Sequence, residues 1–153
     1  MEKSAYLDFR LEGLAKARIG EIDALHQLLR EGRGLGFWRK TYLKLVGKRV
    51  CAVIFNHDEQ MVGFNYYYFR ESEVKDRIIH HAFIGILPEE RGKGLATALQ
   101  TYAIDRLSKN KLTGISGNVK KTNTTSAKML ANVGFVLTDD PDDTTNQKIY
   151  YRF

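Results

Sequence analysis

The apolar positions of this chain change period several times, and each change marks an element. From Ile19 to Leu29 they recur at helical spacing, with Ile22, Leu25, Leu28 and Leu29 on one stripe. Gly32, Gly34 and Gly36 break the run, and Phe37 to Leu45 then reads as a second, shorter helix carrying Trp38, Tyr42 and Leu45. Ahead of both, Ala5 to Leu11 alternates as a strand would. Val50 to Phe55 is a β-branched strand that ends at the turn-like Asn56-His-Asp58. Met61 to Arg70 is another, with Phe64, Tyr66 and Tyr68 facing one way and Asn65 and Tyr67 the other. Charged residues from Glu71 to Asp76 make a connection, after which Arg77 to Leu87 is strongly apolar and stops at Pro88.

A long helix begins near Gly92 or Gly94 and buries Leu95, Leu99, Tyr102 and Leu107. Leu112 to Val119 is a further strand. Residues 123–132 form a helix that Asn123 caps and Gly134 ends. Phe135 to Thr138 and Lys148 to Phe153 close the chain as a hairpin around Asp139-Asp-Pro-Asp-Asp143. Helices first, then strands, then strand–helix–strand–helix–strand: this order predicts a mixed α/β sheet. With no repeats, low-complexity tracts or long linkers, residues 1–153 read as one domain, able to bury roughly 68–70% of its unfolded surface.

Composition sharpens this only in places. With 43% apolar and 27% charged residues the chain is globular rather than disordered. No apolar run is long enough to span a bilayer, and the acid-bearing stretch MEKSAYLDFRLEG is not a signal peptide, so a cytoplasmic protein is expected. One cysteine, Cys51, rules out an internal disulfide framework; it reads as a small buried hydrophobe. No pair of residues has metal-ligand spacing, so no metal is expected, and His26 and His57 read as surface residues. The net charge of +6 is uneven. Residues 1–50 hold 11 bases and 6 acids, and from Arg30 to Arg49 seven bases face only Glu31. That cluster is either a solvated helix face or a lure for phosphate or carboxylate. No zinc-finger spacing or ribonucleoprotein signature accompanies it, so nucleic acid is not the expected partner.

The informative stretch is Ile84-Gly-Ile-Leu-Pro-Glu-Glu-Arg-Gly-Lys-Gly-Leu-Ala96, a strand that runs through a glycine-rich turn into a helix. Glycines allow close backbone approach, and a helix's free amides and positive dipole end suit a pyrophosphate. Two common phosphate motifs fail on spacing. In the Walker A frame, Leu87 stands for the first glycine and Gly94 for the Ser/Thr; in the dinucleotide frame, Gly92 and Gly94 are followed by Thr97, with no acid near position 112. What remains is Arg91-x-x-Gly94-x-Ala96, which resembles the acetyl-CoA motif Gln/Arg-x-x-Gly-x-Gly/Ala of the GNAT superfamily of N-acetyltransferases. Downstream, Asn123-Thr-Thr-Ser-Ala-Lys-Met-Leu-Ala-Asn-Val-Gly-Phe135 is similar to that family's Asn-x-x-Ala-x-x-Leu-Tyr-x-x-x-Gly-Phe helix, with Ser126, Met129 and Leu130 in the middle places. The two motifs occur in order between about Arg77 and Phe135.

The resemblance implies a GNAT-like α/β fold, a mostly antiparallel, splayed sheet flanked by helices, and acetyl-CoA as co-substrate. It implies that the backbone of Ile84, Gly85 and Ile86 pairs with the pantetheine arm. The amides from Arg91 through Gly92, Lys93, Gly94 and Leu95 to Ala96 would wrap the pyrophosphate, with charge from Arg91 and Lys93. Asn123 would contact the pantetheine or hold the adjoining backbone, a role compatible with a plain helix cap. Members that acetylate ribosomal-protein N-termini carry a Glu and a Tyr where this chain has Asn118 and Leu130, so their acid–base pair is missing. The place held by a Glu in histone-acetylating members, and by a His in the serotonin-acetylating one, is His80, which shares a strand face with Ala82, Ile84 and Ile86. A histidine near pKa 6.5 suits removal of a proton from the attacking amine, so His80 is the catalytic candidate, and His81 on the opposite face the lesser one. The proton donor to the thiolate stays open among Tyr150, Tyr151 and Tyr66 to Tyr68, all residues of the kind that usually pack.

The expected activity is therefore transfer of an acetyl group to a primary amine by direct attack. The acceptor is read as a small molecule, an amino sugar or a polyamine. The basic Arg30–Arg49 stretch would suit an anionic acceptor and the acids Asp139, Asp140, Asp142 and Asp143 a cationic one. Three alternatives stand beside this: a protein or peptide acceptor (lysine or N-terminus), a non-catalytic acyl-CoA-binding module, and a basic nucleic-acid-binding domain. No membrane partner is expected, and a homodimer is an allowed assembly.

Overall fold

The computed structural model describes residues 8–153. It is an α/β fold with seven strands in the order β1-β2-β3-β4-β5-β7-β6 and four α-helices. The strands are β1 (Arg10–Gly13), β2 (Cys51–Phe55), β3 (Met61–Tyr68), β4 (Ile78–Ile86), β5 (Gly114–Lys120), β6 (Val136–Asp140) and β7 (Asp143–Arg152). The helices are α1 (Ile19–Leu29), α2 (Phe37–Val50), α3 (Leu95–Leu107) and α4 (Thr124–Val133). The chain forms two compact units. One takes the chain up to Tyr66 together with Phe83–Arg106, and the other takes Tyr67–Ala82 with Leu107–Phe153.

In the first unit, β1 and β2 pair antiparallel from Arg10 opposite Phe55 to Gly13 opposite Ala52, and β2 continues antiparallel against β3. Of the expected first strand, Arg10 and Leu11 lie in β1 while Asp8 and Phe9 do not, and residues 5–7 lie outside the described part. Every residue of β2 is buried, which is why the run reads as continuously apolar rather than alternating. On β3 both faces are covered as well. Its one amide, Asn65, is fully buried and satisfied, accepting from Ala52 N at 3.3 Å and donating to Gln100 of α3 at 3.4 Å. The Cys51 thiol is buried, and burial pushes its pKa up.

Helix α1 buries Ile22, Leu25 and His26, whereas Leu28 is 74% exposed. Helical geometry explains the correction: Leu28 lies roughly 120° around the axis from Ile22, while His26 is only about 40° away. His26 is therefore interior rather than on the surface, its Nδ1 2.6 Å from the Arg33 carbonyl and its ring against Phe83. Asp23 on the same helix accepts from Leu35 N at 2.8 Å and pairs with Lys40 at 3.4 Å, tying the glycine-rich break to α2. That second helix runs five residues past Leu45, on a buried stripe of Leu43, Gly47 and Val50. Gly47 does not stop it; a Cβ there would meet the Leu14 side chain at 3.1 Å, so the glycine serves close packing.

In the second unit β4 and β5 pair parallel, with Ile78 opposite Gly114, Ile79 opposite Ile115 and His80 opposite Ser116. Strand β5 pairs antiparallel with β7 along its length, and β7 with β6. The closing hairpin is longer than its apolar residues foretell, because Asp139 and Asp140 continue β6 and only Pro141 and Asp142 turn. Helix α4 has its expected ends: Asn123 accepts from Ser126 N at 3.1 Å, and Gly134 adopts φ 114° beyond the last turn. His81, on the β4 face opposite His80, is buried edge-on to Tyr67.

Burial, and then the neighbouring His80, push the His81 pKa down to about 4. The unfolded chain takes up a proton on His81 as pH falls through about 6.5, but the folded chain does not until about 4. Acid therefore favours unfolding in that window, by about 2 kcal/mol between pH 7 and pH 5 for this residue alone. Buried His26 and His80, also shifted down, add in the same direction. Urea midpoints at pH 7 and pH 5 check this, and equal midpoints would contradict it.

Candidate functional site

The end of β4 and the turn after it are built by close contacts in the first unit. A Cβ at Gly63 would lie 2.4 Å from Ile86 Cδ1, and one at Gly85 would lie 2.7 Å from Leu29 Cδ1. These two glycines let Ile86 and Leu29 close over the strand. Leu87 N still donates to the Val62 carbonyl at 2.9 Å; Pro88, with no N–H, then leads a single 3₁₀ turn over Pro88–Glu90. The Arg91 Nε donates to the Ile86 carbonyl at 3.0 Å and closes the turn on the strand that precedes it. Lys93 pairs with Glu90 at 2.9 Å and stands over the Phe9 ring.

Gly92 and Gly94 both have φ of 79°, the left-handed region that disfavours any side chain. A Cβ at Gly92 would meet nothing within 4 Å, so its glycine answers a backbone need and leaves the approach open. Ala98 N donates to the Gly94 carbonyl at 3.1 Å, the first bond of α3. The amides of Leu95, Ala96 and Thr97 therefore have no carbonyl of their own helix to bond. Residues 91–94 are exposed while Leu95 is buried, so α3 is anchored by its first residue and offers its N-terminal end outward. The structure thus brings Ile84, Gly85, Ile86 and Arg91 through Ala96 together as one strand–turn–helix. Such a set of amides at a positive dipole end fits a phosphate-bearing ligand.

In the second unit His80 is buried in a network that the sequence does not announce. Its Nδ1 lies 2.9 Å from Ser116 Oγ, and Ser116 Oγ donates to Glu73 Oε1 at 2.8 Å. Arg70 Nε donates to the same Glu73 oxygen at 2.8 Å, and the Tyr68 ring stands edge-on to the imidazole at 5.5 Å. Burial alone would push the Glu73 carboxyl up, but the bonds from Arg70 and Ser116 outweigh it and hold the group below its ordinary value. Burial first, and the Arg70 charge second, hold the His80 pKa below its ordinary value, against the pull of Glu73. His80 is thus a neutral imidazole near pH 7.

The remaining candidates separate by environment. Asn123 is the cap of α4, its Oδ1 engaged with Ser126 N. Tyr151 packs between Phe135 and Phe153, and Tyr67 is fully buried. Tyr150 lies across Gly114, where a Cβ would come 2.2 Å from its Oη, so its ring covers the β5 face that carries Ser116. Sequence reasoning missed Arg70, Glu73 and Ser116. The only local sign is a hydroxyl among the apolar and glycine residues that open β5.

The Acetyltransferase (GNAT) family model matches residues 22–135. No curated protein sequence matches the chain. Among solved structures, it is similar to Naa50 from Arabidopsis thaliana in complex with the bisubstrate analogue CoA-Ac-MVNAL (18% identity, TM-score 0.76, covering 96% of this chain and 100% of that one). It is also similar to yncA, a putative acetyltransferase from Salmonella typhimurium with acetyl-CoA (15%, TM-score 0.72, 95% and 94%). A third likeness is to the dodecameric spermidine N-acetyltransferase from Vibrio cholerae (18%, TM-score 0.69, 95% and 94%). At such identities the structures speak to the fold, and the family match, which contains the whole strand–turn–helix and α4, speaks to descent: this chain belongs to the acetyltransferase (GNAT) family.

Proposed function

We propose that the protein moves an acetyl group from acetyl-CoA to a primary amine by direct attack, as one N-acetyltransferase domain spanning residues 1–153. The observation that carries this reading is the turn from Arg91 to Ala96, where two left-handed glycines deliver unbonded helix amides to an open approach. The backbone of Ile84, Gly85 and Ile86 would hold the pantetheine arm. The amides of Arg91 to Ala96, with the charges of Arg91 and Lys93, would hold the pyrophosphate, and Asn123 would add an amide contact beside its cap. Acetyl-CoA supplies an acyl group already activated as a thioester. The one-domain reading is supported by the interleaving of the two units, since neither is a continuous stretch of chain.

The task left to the side chains is to free the amine of its proton, and His80 is the base in this reading. It is neutral near pH 7, as a base must be, and no nucleophile for a covalent acyl-enzyme is needed. The acceptor is a small amine that carries an anionic group. Two observations favour this over a polycation. Three of the four acids at the closing hairpin are already engaged: Asp140 accepts from Asp142 N, Asp143 from Thr145 N and Asn146 N, and Lys148 and Lys121 pair with Asp140 and Asp139. By contrast, Arg39 and Lys44 of α2 are exposed, as are Phe37 and Trp38 at the start of the same helix.

Calorimetric titration should give micromolar binding of acetyl-CoA, with Gly94→Asp abolishing it by placing a carboxylate and a strained side chain where the pyrophosphate sits. No binding to the wild-type protein would remove the proposal. With an acceptor found by screening amines for release of free thiol, Arg39→Glu plus Lys44→Glu should raise its KM at least tenfold and leave acetyl-CoA binding within twofold. Equal losses on both would overturn the anionic-acceptor assignment. Because the His80 pKa is lowered, the acid limb of kcat/KM should lie below that of an ordinary imidazole. An acid limb centred above 6.5 would speak against His80.

A further inference from the structure

The network behind His80 fixes more than its position. Glu73 is ionised near neutral pH and can only accept hydrogen bonds, and its Oε1 takes one from Arg70 and one from Ser116. A serine hydroxyl has a single proton, and here that proton is committed to Glu73. Ser116 Oγ therefore has only lone pairs to offer His80 Nδ1, which stands 2.9 Å away, so the hydrogen of this bond must come from the imidazole. A neutral imidazole has one N–H. With it on Nδ1, Nε2 is the atom with the lone pair.

Nε2 is also the atom within reach. Among the described residues it has no hydrogen-bond partner, and no buried side-chain nitrogen or oxygen there is left without one. It therefore accounts for part of the 9% of the side chain that stays accessible. We propose that Arg70, Glu73 and Ser116 form a one-way hydrogen-bond relay that locks His80 as the Nδ1–H tautomer and presents Nε2 as the proton acceptor. The proposal rests on the reading of His80 as the base. In the step itself, one N–H bond of the substrate ammonium breaks and its proton forms a bond to Nε2. The electron pair stays on the amine nitrogen, ready for the thioester carbonyl.

The imidazolium that results keeps its Nδ1–H on Ser116 and has the Glu73 carboxylate 3.8 Å from Nδ1 to offset its charge. No proton need travel along the relay. The other ionisable groups around the ring are Tyr68 from β3, Arg70 from the following connection, His81 on its own strand and Tyr150, paired in register with Ser116 from β7. Ser116 and Glu73 act through His80, so they are positioning residues.

Nitrogen-15 NMR of the histidine-labelled full chain near pH 7 reads the tautomer directly, since protonated and bare ring nitrogens resonate far apart. The expected spectrum has His80 with a protonated Nδ1 and a bare Nε2. Ser116→Ala should shift it towards Nε2–H and lower kcat at least tenfold with acetyl-CoA binding unchanged, and Ser116→Thr, which keeps the hydroxyl, should restore both. A wild-type His80 carrying its proton on Nε2 overturns the relay, and so does a Ser116→Ala spectrum identical to wild type. His80→Gln separates this from the reading beneath it. If turnover survives that substitution, the base assignment falls and the relay loses its catalytic role. If turnover is lost while the wild type shows Nε2–H, the base stands and the relay alone is wrong.

Discussion

Ile78 to His80 run parallel to Gly114 to Ser116, and a parallel pair cannot be closed by a hairpin. The chain must leave β4 at its carboxyl end, travel the length of the sheet and return to start β5 from the same side. It does so with a tight turn and thirteen-residue α3. The turn has to reverse direction within a few residues, hence the left-handed glycines, and the returning helix has to begin at once, hence its unbonded amides at the strand's end. The same pairing sets His80 against Ser116 in register. The glycine turn with its free helix amides and the histidine network are both consequences of one choice of strand direction.

How much of this was legible depends on whether a feature is local. The glycines at 92 and 94, Pro88, the Asn123 cap and Gly134 are each demanded by the backbone within a few residues, so they show in the sequence at the right spacing. The fully buried β2 and the partly buried β4 show as apolar runs. Distant partnerships do not. Glu73 lies 43 residues from Ser116 and looks like one more charge in a loop, and Ser116 looks like an ordinary strand residue. The interior place of His26 is hidden because a polar side chain inside an apolar stripe is given away only by the carbonyl that satisfies it, and Arg33 sits within the glycine break. The extra turns of α2 were hidden by Lys48 and Arg49, whose charges mark an exposed face rather than an end. Asp139 and Asp140 are poor strand formers held in a strand by pairing with β7.

Charge is used in two ways in the molecule. Asp23, Glu73 and Asp143 each gather several donors and act as fixed joints: one for the α1–α2 break, one for the histidine network and one for the closing hairpin. The exposed bases on α2 make no comparable joint, and their field is left to act on solutes. That division separates acids that shape the fold from bases that face solvent.

Strand β7 is the last to appear in the chain, yet it lies between β5 and β6 and pairs with both. As the polypeptide leaves the ribosome, β6 has nowhere to dock until the residues after Asp143 have followed it out. The β5 and β6 edges can therefore be joined only once β7 has emerged between them. A chain interrupted before Asp143 would expose two strand edges at once, which is the form most prone to join with another copy.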